Sequence, residues 1–562
     1  MIEYLRSANF LSRGPFVAPV TPFPIIRHPI SHSSSFLEIH HPPPRTGGKD
    51  VLTDSPNMGF VVVVLLLLFT STTVGFSGRI SRSEFLKNVA VGAPSVATAF
   101  SFPSLSGATT AGTATITSAT SSASATSWPL GKVAFSLLPL YGTSTPRPSL
   151  ETTIVEDKIF THDQLQGIVN VDVPVRQTVI VLSEASGGGL LIVNPLAPTP
   201  QLLAMVRNLE NKYGKVRHIV LATSALEHKA TFGPFAQNFR SATCWVNPGQ
   251  WSFPVQLPLE WSGVLQRGSR LRELEGIGKS GRYNKYFKDS PEWLQDVEYE
   301  TLGPLVFKSV GTFSETALFH KSTRTLIVTD TVIRVSDTPP PVINEFASAA
   351  LLYHSRDKIT DPVVDSVDQR SKGWRRMVQF GLTFFPSRII VTDFGVAINE
   401  ASRLPADVKR LSAGNVYGGL YPWSWEDGDK DLESFAAYKD TLFCPPILTK
   451  LILDREPEAV LDWVRRVTTK FQFVRIIPGH LDNNVKASPK DFAAAFDFLR
   501  EGGEWENNNK HRNRTEKGGK KMMMRKKAQP LDDDLRLLQN ASDFLTKFGV
   551  VDESKVPQTN RK

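Results

Sequence analysis

"HIVLATSALEHKATFGPF", residues 218–235, combines the signals of a strand, a loop and a helix. An apolar run ends at Ala222, a short polar segment follows, and a helix candidate begins at His228 with Glu227 beside it. α/β folds place their functional groups in the loops that follow the carboxyl ends of strands. The stretch therefore predicts an α/β fold with a functional site near His228.

The segment N-terminal to this stretch has the signals of an amphipathic helix. In "PTPQLLAMVRNLENKYG", residues 198–214, prolines open the segment and Gly214 closes it. Apolar residues recur at the spacing of one helix face, at Leu202, Leu203, Val206 and Leu209. We expect a helix that ends at Gly214 and packs this face on a sheet.

Apolar runs bounded by polar or glycine turns recur on both sides of this segment. Each is a strand candidate. They are residues 177–183, 189–195, 216–223, 242–249, 301–311, 316–331, 387–395 and 471–480. Their alternation with helix candidates predicts a mixed α/β protein in which two sheets are sandwiched between helices.

Three of the predicted strands end in groups that can bind a metal. One delivers Glu227 and His228, "RTLIVTD" delivers Asp330, and "FVRIIPGH" delivers His480. Two imidazoles and two carboxylates would suit one divalent ion of zinc, iron or manganese. His320 is a candidate fifth ligand if its strand pairs with the strand that leads to Asp330.

Each of these residues also has a purely structural interpretation. His228 could cap the following helix, Asp330 could accept turn N–H groups, and His480 could pack on aromatic rings. Glu315 could face the same way, but we do not include it among the ligands. Burying such a cluster without a partner would be costly, and a divalent ion or Asp–His and Glu–His hydrogen bonds would offset that cost.

Five longer stretches resemble an uncharacterised family of plant, algal and cyanobacterial proteins, domain of unknown function 4336. The order and context of the candidate ligands resemble the metallo-β-lactamase-like superfamily, of which this family would be a divergent branch. The stretches are "GGGLLIVNPLAPTPQLL", "LEHKATFGPF", "NPGQWSFPVQLPLEW", "FSETALFHKSTRTLIVTD" and "PGHLDNNVKASPKDFAAAFDFL". The resemblance implies an αββα sandwich with surface insertions.

The resemblance also implies a metal site that is only half present. The superfamily motif His-x-His-x-Asp-His reads Thr223, Ala225, Glu227 and His228 here, and Thr312 stands where a further histidine follows a glycine. The three histidines of the first metal site are therefore missing. The second site would consist of Glu227, His228, Asp330 and His480.

Domain organisation follows from composition. We expect a targeting and low-complexity region at 1–129, which is predicted to be disordered, and a metallo-β-lactamase-like domain at 130–500. Insertions are expected near 265–300 and 400–445. A basic, disordered loop is expected at 501–530, followed by a C-terminal helical segment at 531–562.

The N-terminal region resembles a two-part targeting signal. Residues 59–76, "GFVVVVLLLLFTSTTVGF", contain an apolar block that suits a signal peptide better than a membrane span. The hydroxyl-rich, acid-poor stretch at 77–129 is typical of a transit peptide. We therefore expect delivery to a plastid, with a single-pass anchor or secretion as the alternative. Met58 precedes the apolar block directly, so translation could begin there.

The net charge of +9 does not favour a nucleic-acid partner. Residues 510–527 hold nine Lys or Arg and one Glu, with no aromatic residue among them for stacking on bases. Membrane contact through this run or through 59–76 stays open. The two cysteines, Cys244 and Cys444, are too few for a disulfide framework, although one bridge between them is conceivable.

Two functions are compatible with these features. The first is a single-metal hydrolase of an ester, thioester or similar bond, in which Asp330 or Glu227 orients the attacking water. The second is a non-catalytic plastid factor that retains the fold and binds or assembles a protein partner, without any metal. The substrate of the first is not specified by the sequence.

Overall fold

The computed structural model describes residues 147–168, 171–250, 264, 270–274, 291–308, 311–383, 386–392, 394–404, 421, 423–428, 430–500 and 531–556. The predicted targeting signal at 1–129 and the basic run at 510–527 lie outside the described residues. Among the described helices, none is both long and apolar enough to cross a bilayer.

Two sheets form the centre of the fold. The first has seven strands in the order β1 to β7: Ser149–Val155, Ile159–Ile168, Val171–Val181, Leu190–Val193, Val216–Leu221, Thr243–Val246 and Leu271–Glu273. Its first four strands pair antiparallel and its last four pair parallel. The turn between β3 and β4 uses three glycines with positive φ, Gly187, Gly188 and Gly189, a conformation that glycine adopts readily.

The second sheet has five strands in the order β16-β15-β10-β9-β8. They are β8 (Val297–Phe307), β9 (Gly311–His320), β10 (Thr325–Ile327), β15 (Arg475–Ile477) and β16 (Val485–Lys486). Only β10 and β15 pair in parallel. Two small sheets pair β11 (Ile333–Arg334) with β14 (Leu442–Phe443), and β12 (Ile389–Val391) with β13 (Trp423–Trp425).

Eleven helices are present in the described part of the chain. They are α1 (Pro200–Tyr213), α2 (Leu226–Ala236), α3 (Pro341–Phe346), α4 (Ser348–Ser355), α5 (Val367–Thr383), α6 (Phe394–Arg403), α7 (Lys430–Ala436), α8 (Pro446–Leu451), α9 (Pro457–Lys470), α10 (Pro489–Ala494) and α11 (Asp532–Lys547).

Three cores define the order of the layers. Between the sheets, side chains such as Leu191 and Val220 of the first meet Leu318 and Ile477 of the second. The other face of the first sheet packs on α1 and α2, and the other face of the second packs on α9 and α10. Neighbours in one strand point to opposite faces, so Ile476 lies in the α9 core while Ile477 lies between the sheets. The predicted αββα sandwich is confirmed.

The predicted helix before β5 is confirmed in detail. Leu202, Val206 and Leu209 of α1 are buried, and Gly214 is its C-cap. Its N-cap, Thr199, accepts a hydrogen bond from the N–H of Leu202. The helix after β5 begins earlier than expected, at Leu226, which places His228 in its first turn.

The two cysteines are not paired. Cys244 and Cys444 are both free and buried. Cys244 lies in the core under α1 and α2, whereas Cys444 lies in the core under α9 and α10. Because these cores lie on the outer faces of different sheets, a bridge between the two thiols is excluded in this fold.

Candidate metal centre

The site lies where the ends of strands from both sheets meet. The loop after β5 crosses from the first sheet to β9 of the second, where Thr223 pairs with Glu315 in an isolated bridge. Ser224 N–H donates to Ser314 O at 2.9 Å, and Thr316 N–H donates to Ala222 O at 2.7 Å. These backbone hydrogen bonds place the start of α2 beside the second sheet.

Four of the predicted ligands converge at this point. Glu227, His228, Asp330 and His480 each offer a ligand atom, and all four atoms lie within 4.8 Å of one another. His228 is fully buried, whereas Asp330 and His480 keep a small exposed fraction and Glu227 is half-buried. The sequence prediction that these residues lie together agrees with the structure, and the binding of a metal stays a prediction.

Three of the ligand atoms form a nearly regular triangle. His480 Nε2 lies 3.1 Å from Asp330 Oδ1 and 3.2 Å from His228 Nε2, and the third edge, His228 Nε2 to Asp330 Oδ1, is 3.6 Å. Two atoms that each lie about 2.0–2.2 Å from one tetrahedral ion are about 3.3–3.6 Å apart. The 3.6 Å edge lies within this range and the two edges at His480 lie just below it, so the triangle is slightly smaller than one face of such a coordination shell.

The orientation of His480 is set by the first sheet. Its Nδ1 lies 2.9 Å from Pro174 O, and because a carbonyl only accepts, this nitrogen carries the proton. When the ring is neutral, Nε2 therefore presents its lone pair to the cluster. A histidine that donates to a backbone carbonyl with one nitrogen and faces the ion with the other is the usual arrangement of a metal ligand.

His228 has no such second partner. Its Nδ1 is buried and makes no hydrogen bond among the described residues. The groups that contact Nε2 of His228 therefore decide which of its two ring nitrogens carries the proton. Glu227 precedes it in the first turn of α2, where a carboxylate interacts favourably with the helix dipole.

Asp330 is held by groups on both sides. Oδ1 faces the two histidines, while Oδ2 accepts a hydrogen bond from Thr223 Oγ1 at 3.1 Å. Burial alone would raise the pKa of Asp330, but hydrogen bonds and charge from His228 and His480 outweigh it and hold this pKa below its usual value. Asp330 is therefore ionised at neutral pH.

Glu315 organises the turn that carries Asp330. Its Oε1 accepts from Thr329 N–H at 2.9 Å and Thr331 Oγ1 at 2.6 Å, and its Oε2 accepts from Asp330 N–H at 2.8 Å and Thr331 N–H at 3.0 Å. Burial and the charge of Asp330 raise the pKa of Glu315 to about 7. The residue is thus a support for Asp330 and does not belong to the ligand cluster.

His320 lies away from the cluster. It pairs with Thr325, the first residue of β10, whereas Asp330 follows the far end of that strand. Its Nδ1 is 2.7 Å from Thr323 Oγ1, and burial lowers its pKa to about 4. The suggestion that His320 approaches the site is therefore wrong, because the hairpin register puts it at the opposite end of the sheet.

Two positions where the superfamily pattern has histidines take part in other contacts. Thr223 Oγ1 accepts from Ala225 N–H at 3.1 Å and donates to Asp330. Thr312 Oγ1 donates to Gly249 O. Small residues and internal hydrogen bonds thus stand where the first metal site would need imidazoles.

Two supports of the site were missed in the sequence. Asn194, at the end of β4, donates from Nδ2 to Thr329 Oγ1 at 2.9 Å and accepts from Ala222 N–H at 2.8 Å, and so links the loops of both sheets. Arg176 of β3 holds the segment around His480. The feature of the sequence that could have indicated this role is the charged Arg176 inside the apolar strand "VDVPVRQTVIV".

The comparisons with known proteins agree with the family expected from the sequence. The model of domain of unknown function 4336 matches residues 156–498. None of the curated proteins matches the chain.

Two solved structures resemble the chain weakly. A metallo-beta-lactamase from Pontibacter korlensis has a TM-score of 0.26 and 10% identity, over 62% of this chain and 99% of its own. A beta-lactamase domain protein from Burkholderia ambifaria has a TM-score of 0.20 and 12% identity, over 46% of this chain and 84% of its own. Neither likeness bears on the fold, which the αββα order of the layers establishes.

Proposed function

The chain belongs to the family of domain of unknown function 4336, and from that premise we propose that it binds one divalent metal ion and uses it for hydrolysis. The ligands are Glu227, His228, Asp330 and His480. Zinc, iron and manganese all suit two imidazoles and two carboxylates.

The triangle of His228 Nε2, His480 Nε2 and Asp330 Oδ1 carries this proposal. Protons on His480 Nε2 or His228 Nε2 can bridge the edges of the triangle pairwise, but no single proton interacts equally with all three atoms. One cation at the centre of the cluster interacts with all three atoms at once.

The ligand residues have distinct roles in the proposed reaction. A bound divalent ion acts as a Lewis acid toward water and toward a substrate carbonyl. Asp330, ionised and fixed by Thr223, keeps its Oδ1 turned to the cluster. Glu227 is the half-buried carboxylate, and the oxygen that it does not offer to the ion would be the group placed to accept a proton from the attacking water and to orient it.

One ion, and not two, is expected. The second oxygen of Asp330 is already bonded to Thr223, and neither Ala225 nor Thr312 carries a ligand atom comparable to imidazole. An ion in the first metal site of the superfamily pattern would have no histidine to bind it. The proposed reaction is therefore one that a single ion and one carboxylate base support, such as ester or thioester hydrolysis.

A non-catalytic role is the second candidate, and one observation favours it. His480 already lies within hydrogen-bonding distance of Asp330, and the carboxylate raises the pKa of the ring against the opposing effect of burial. A protonated His480 would satisfy Asp330 without metal. In that case the fold would act as a binding or assembly factor, in a plastid if the predicted targeting signal is correct.

Metal analysis of the full-length chain tests the proposal. The protein is dialysed against zinc, iron(II) or manganese, freed of excess ion, and analysed beside the His228→Ala/His480→Ala double variant and a His320→Asn control. We expect about one ion per chain in the wild type and control and none in the double variant. The same samples are then assayed on ester and thioester substrates, where only metal-loaded wild type and control should be active.

Two results would contradict this proposal, one the metal site and the other the role of Glu227. If no ion binds to the folded wild type, the metal site is refuted and the non-catalytic role remains. If one ion binds but Glu227→Gln leaves the rate of hydrolysis unchanged, Glu227 is not the base.

A further inference from the structure

We infer that Arg176 is the positioning residue that fixes the His480 loop, residues 478–484, in the conformation that turns Nε2 of His480 to the metal. This inference rests on the proposed metal site. It concerns a residue of β3, in the first sheet, whose hydrogen bonds to the loop go to backbone carbonyls and whose ion pair is with Asp163.

The guanidinium of Arg176 donates hydrogen bonds to backbone carbonyls on both sides of His480. Nη1 donates to Pro478 O at 2.7 Å and to Asp482 O at 3.3 Å, and Nη2 donates to Leu481 O at 2.9 Å. The backbone N–H of Arg176 donates to Gly479 O at 2.9 Å. One residue therefore bonds to four of the peptide units that surround the ligand.

The strand that carries Arg176 also contacts His480 itself. Val175 pairs with His480 in an isolated bridge, and Pro174 O accepts a hydrogen bond from His480 Nδ1. Three consecutive residues of β3 thus contact the loop. Pro174 fixes the tautomer of His480, Val175 fixes the position of the His480 backbone against β3, and Arg176 binds the carbonyls on both sides of His480.

Asp163 fixes Arg176 from the opposite side. It is the direct partner of Arg176 across the β2–β3 pair, and its Oδ1 lies 2.8 Å from Arg176 Nε. Both side chains are buried. A buried guanidinium that is anchored on one edge by a carboxylate presents its other nitrogens in a fixed plane, which is what three convergent carbonyls require.

The loop needs such an anchor because its backbone is strained. Leu481 and Asn484 have φ of 57° and 50°. The left-handed region costs a non-glycine residue about 1 kcal/mol or more. Without Arg176, Leu481 would relax from this conformation and three inward-facing carbonyls would lose their donor.

The test compares Arg176→Lys with Arg324→Lys in the full-length chain. Arg324 donates from Nε to Gln472 O at 2.7 Å, before β15, so its replacement is the same change at the other end of the strand that leads to His480. A lysine at 176 cannot bond to three carbonyls and Asp163 together. We expect cobalt(II) to bind Arg176→Lys about 10–100-fold more weakly than wild type, as for other supports of metal ligands.

Two further readouts separate positioning from general destabilisation. At saturating cobalt, the ligand-field absorption of Arg176→Lys should differ from that of wild type, and Arg324→Lys should match wild type. Amide hydrogen exchange of residues 478–484, measured without metal, should be at least about tenfold faster in Arg176→Lys, while exchange in α1 is unchanged.

The outcomes distinguish this inference from the metal proposal. A folded Arg176→Lys variant with wild-type cobalt affinity, spectrum and exchange would overturn the role of Arg176 and leave the metal site standing. If wild type binds no cobalt, the metal site fails, and the exchange of 478–484 alone decides whether Arg176 holds the loop. If Arg176→Lys does not fold, Asp163→Asn replaces it, with a smaller loss of affinity expected and an unchanged affinity contradicting the inference.

Discussion

Thr223 Oγ1 donates a hydrogen bond to Asp330 Oδ2 at 3.1 Å, and so occupies the oxygen that points away from the two histidines of the cluster. The same hydroxyl accepts from Ala225 N–H, the N-cap of α2. One threonine thus joins the loop that presents Glu227 and His228 to the carboxylate on the second sheet, at a position where the superfamily pattern has a metal-binding histidine.

Replacing Thr223 by valine should weaken both the fold and the metal site. Valine keeps the shape but leaves Asp330 Oδ2 and Ala225 N–H without this partner, which costs about 1–3 kcal/mol of unfolding free energy. Metal affinity should fall about tenfold because Asp330 loses its support. Urea unfolding and chelator competition measure the two effects. Thr223→Ser, which keeps the hydroxyl, is the control, and an equal loss in both variants would contradict the role of the hydrogen bond.

Replacing Glu315 by glutamine should destabilise the fold more than the similar size and shape of the two side chains suggest. Both carboxylate oxygens accept from two donors, so either orientation of the amide turns an NH₂ group toward donors in the buried turn before Thr331. We expect a loss of about 2–4 kcal/mol in the free energy of unfolding. Glu298→Gln, at a half-buried position in β8 of the same sheet, is the control. If the two variants unfold at the same urea concentration, Glu315 does not organise the turn.

Replacing Gly479 by alanine should push the His480 loop away from β10. A Cβ at this position would lie 2.9 Å from Thr329 O, closer than side chains approach a carbonyl. The strain should cost about 1–3 kcal/mol and weaken metal binding.

Gly381→Ala is the matched control for that substitution. Its Cβ would lie 3.7 Å from a methyl group of Val171, in ordinary contact, and helix α5 should gain up to about 1 kcal/mol of stability. Thermal unfolding and chelator competition check both variants. Wild-type metal affinity in Gly479→Ala would show that the two segments are not in close contact.

Two buried histidines outside the cluster should make the fold sensitive to acid. Burial lowers the pKa of His218 and of His320 to about 4, below the value of about 6.5 in the unfolded chain. Between these values the unfolded chain binds more protons than the fold, so the two residues stabilise the fold fully above about pH 6.5 and lose that contribution as pH falls toward 4.

Asparagine at these positions cannot titrate. In metal-free protein, the His218→Asn/His320→Asn variant should therefore show a flatter dependence of unfolding free energy on pH between about 4 and 6.5. Urea unfolding at a series of pH values measures this slope. A slope equal to that of wild type would mean that other groups govern the acid sensitivity.

The parts of the structure that the sequence predicted are those with local signals or a matching family pattern. The helix α1 was predicted to its last turn because prolines, apolar spacing and Gly214 all lie within one segment. His228 and His480 are 252 positions apart, and their convergence could be expected because each follows the end of a predicted strand and because the family resemblance implies the same set of residues. Neither spacing alone nor composition brings such residues together.

The parts that the sequence did not predict depend on strand register and on burial. Residue order cannot tell that Thr325, and not Asp330, pairs with His320. It also cannot tell that Glu315 bonds to four donors and is not a ligand, or that Arg176 reaches carbonyls about 300 positions away. These relations become visible only when both sheets are packed.

Anomalous diffraction from crystals of the full-length chain grown with zinc tests the central claim most directly. Data on both sides of the zinc edge locate each ion without reference to the ligand assignment. We expect one anomalous peak per chain, about 2.0–2.2 Å from ligand atoms of His228, Asp330 and His480, with Glu227 as the fourth ligand. No peak in the cluster, or a second ion beside Thr223, would contradict it.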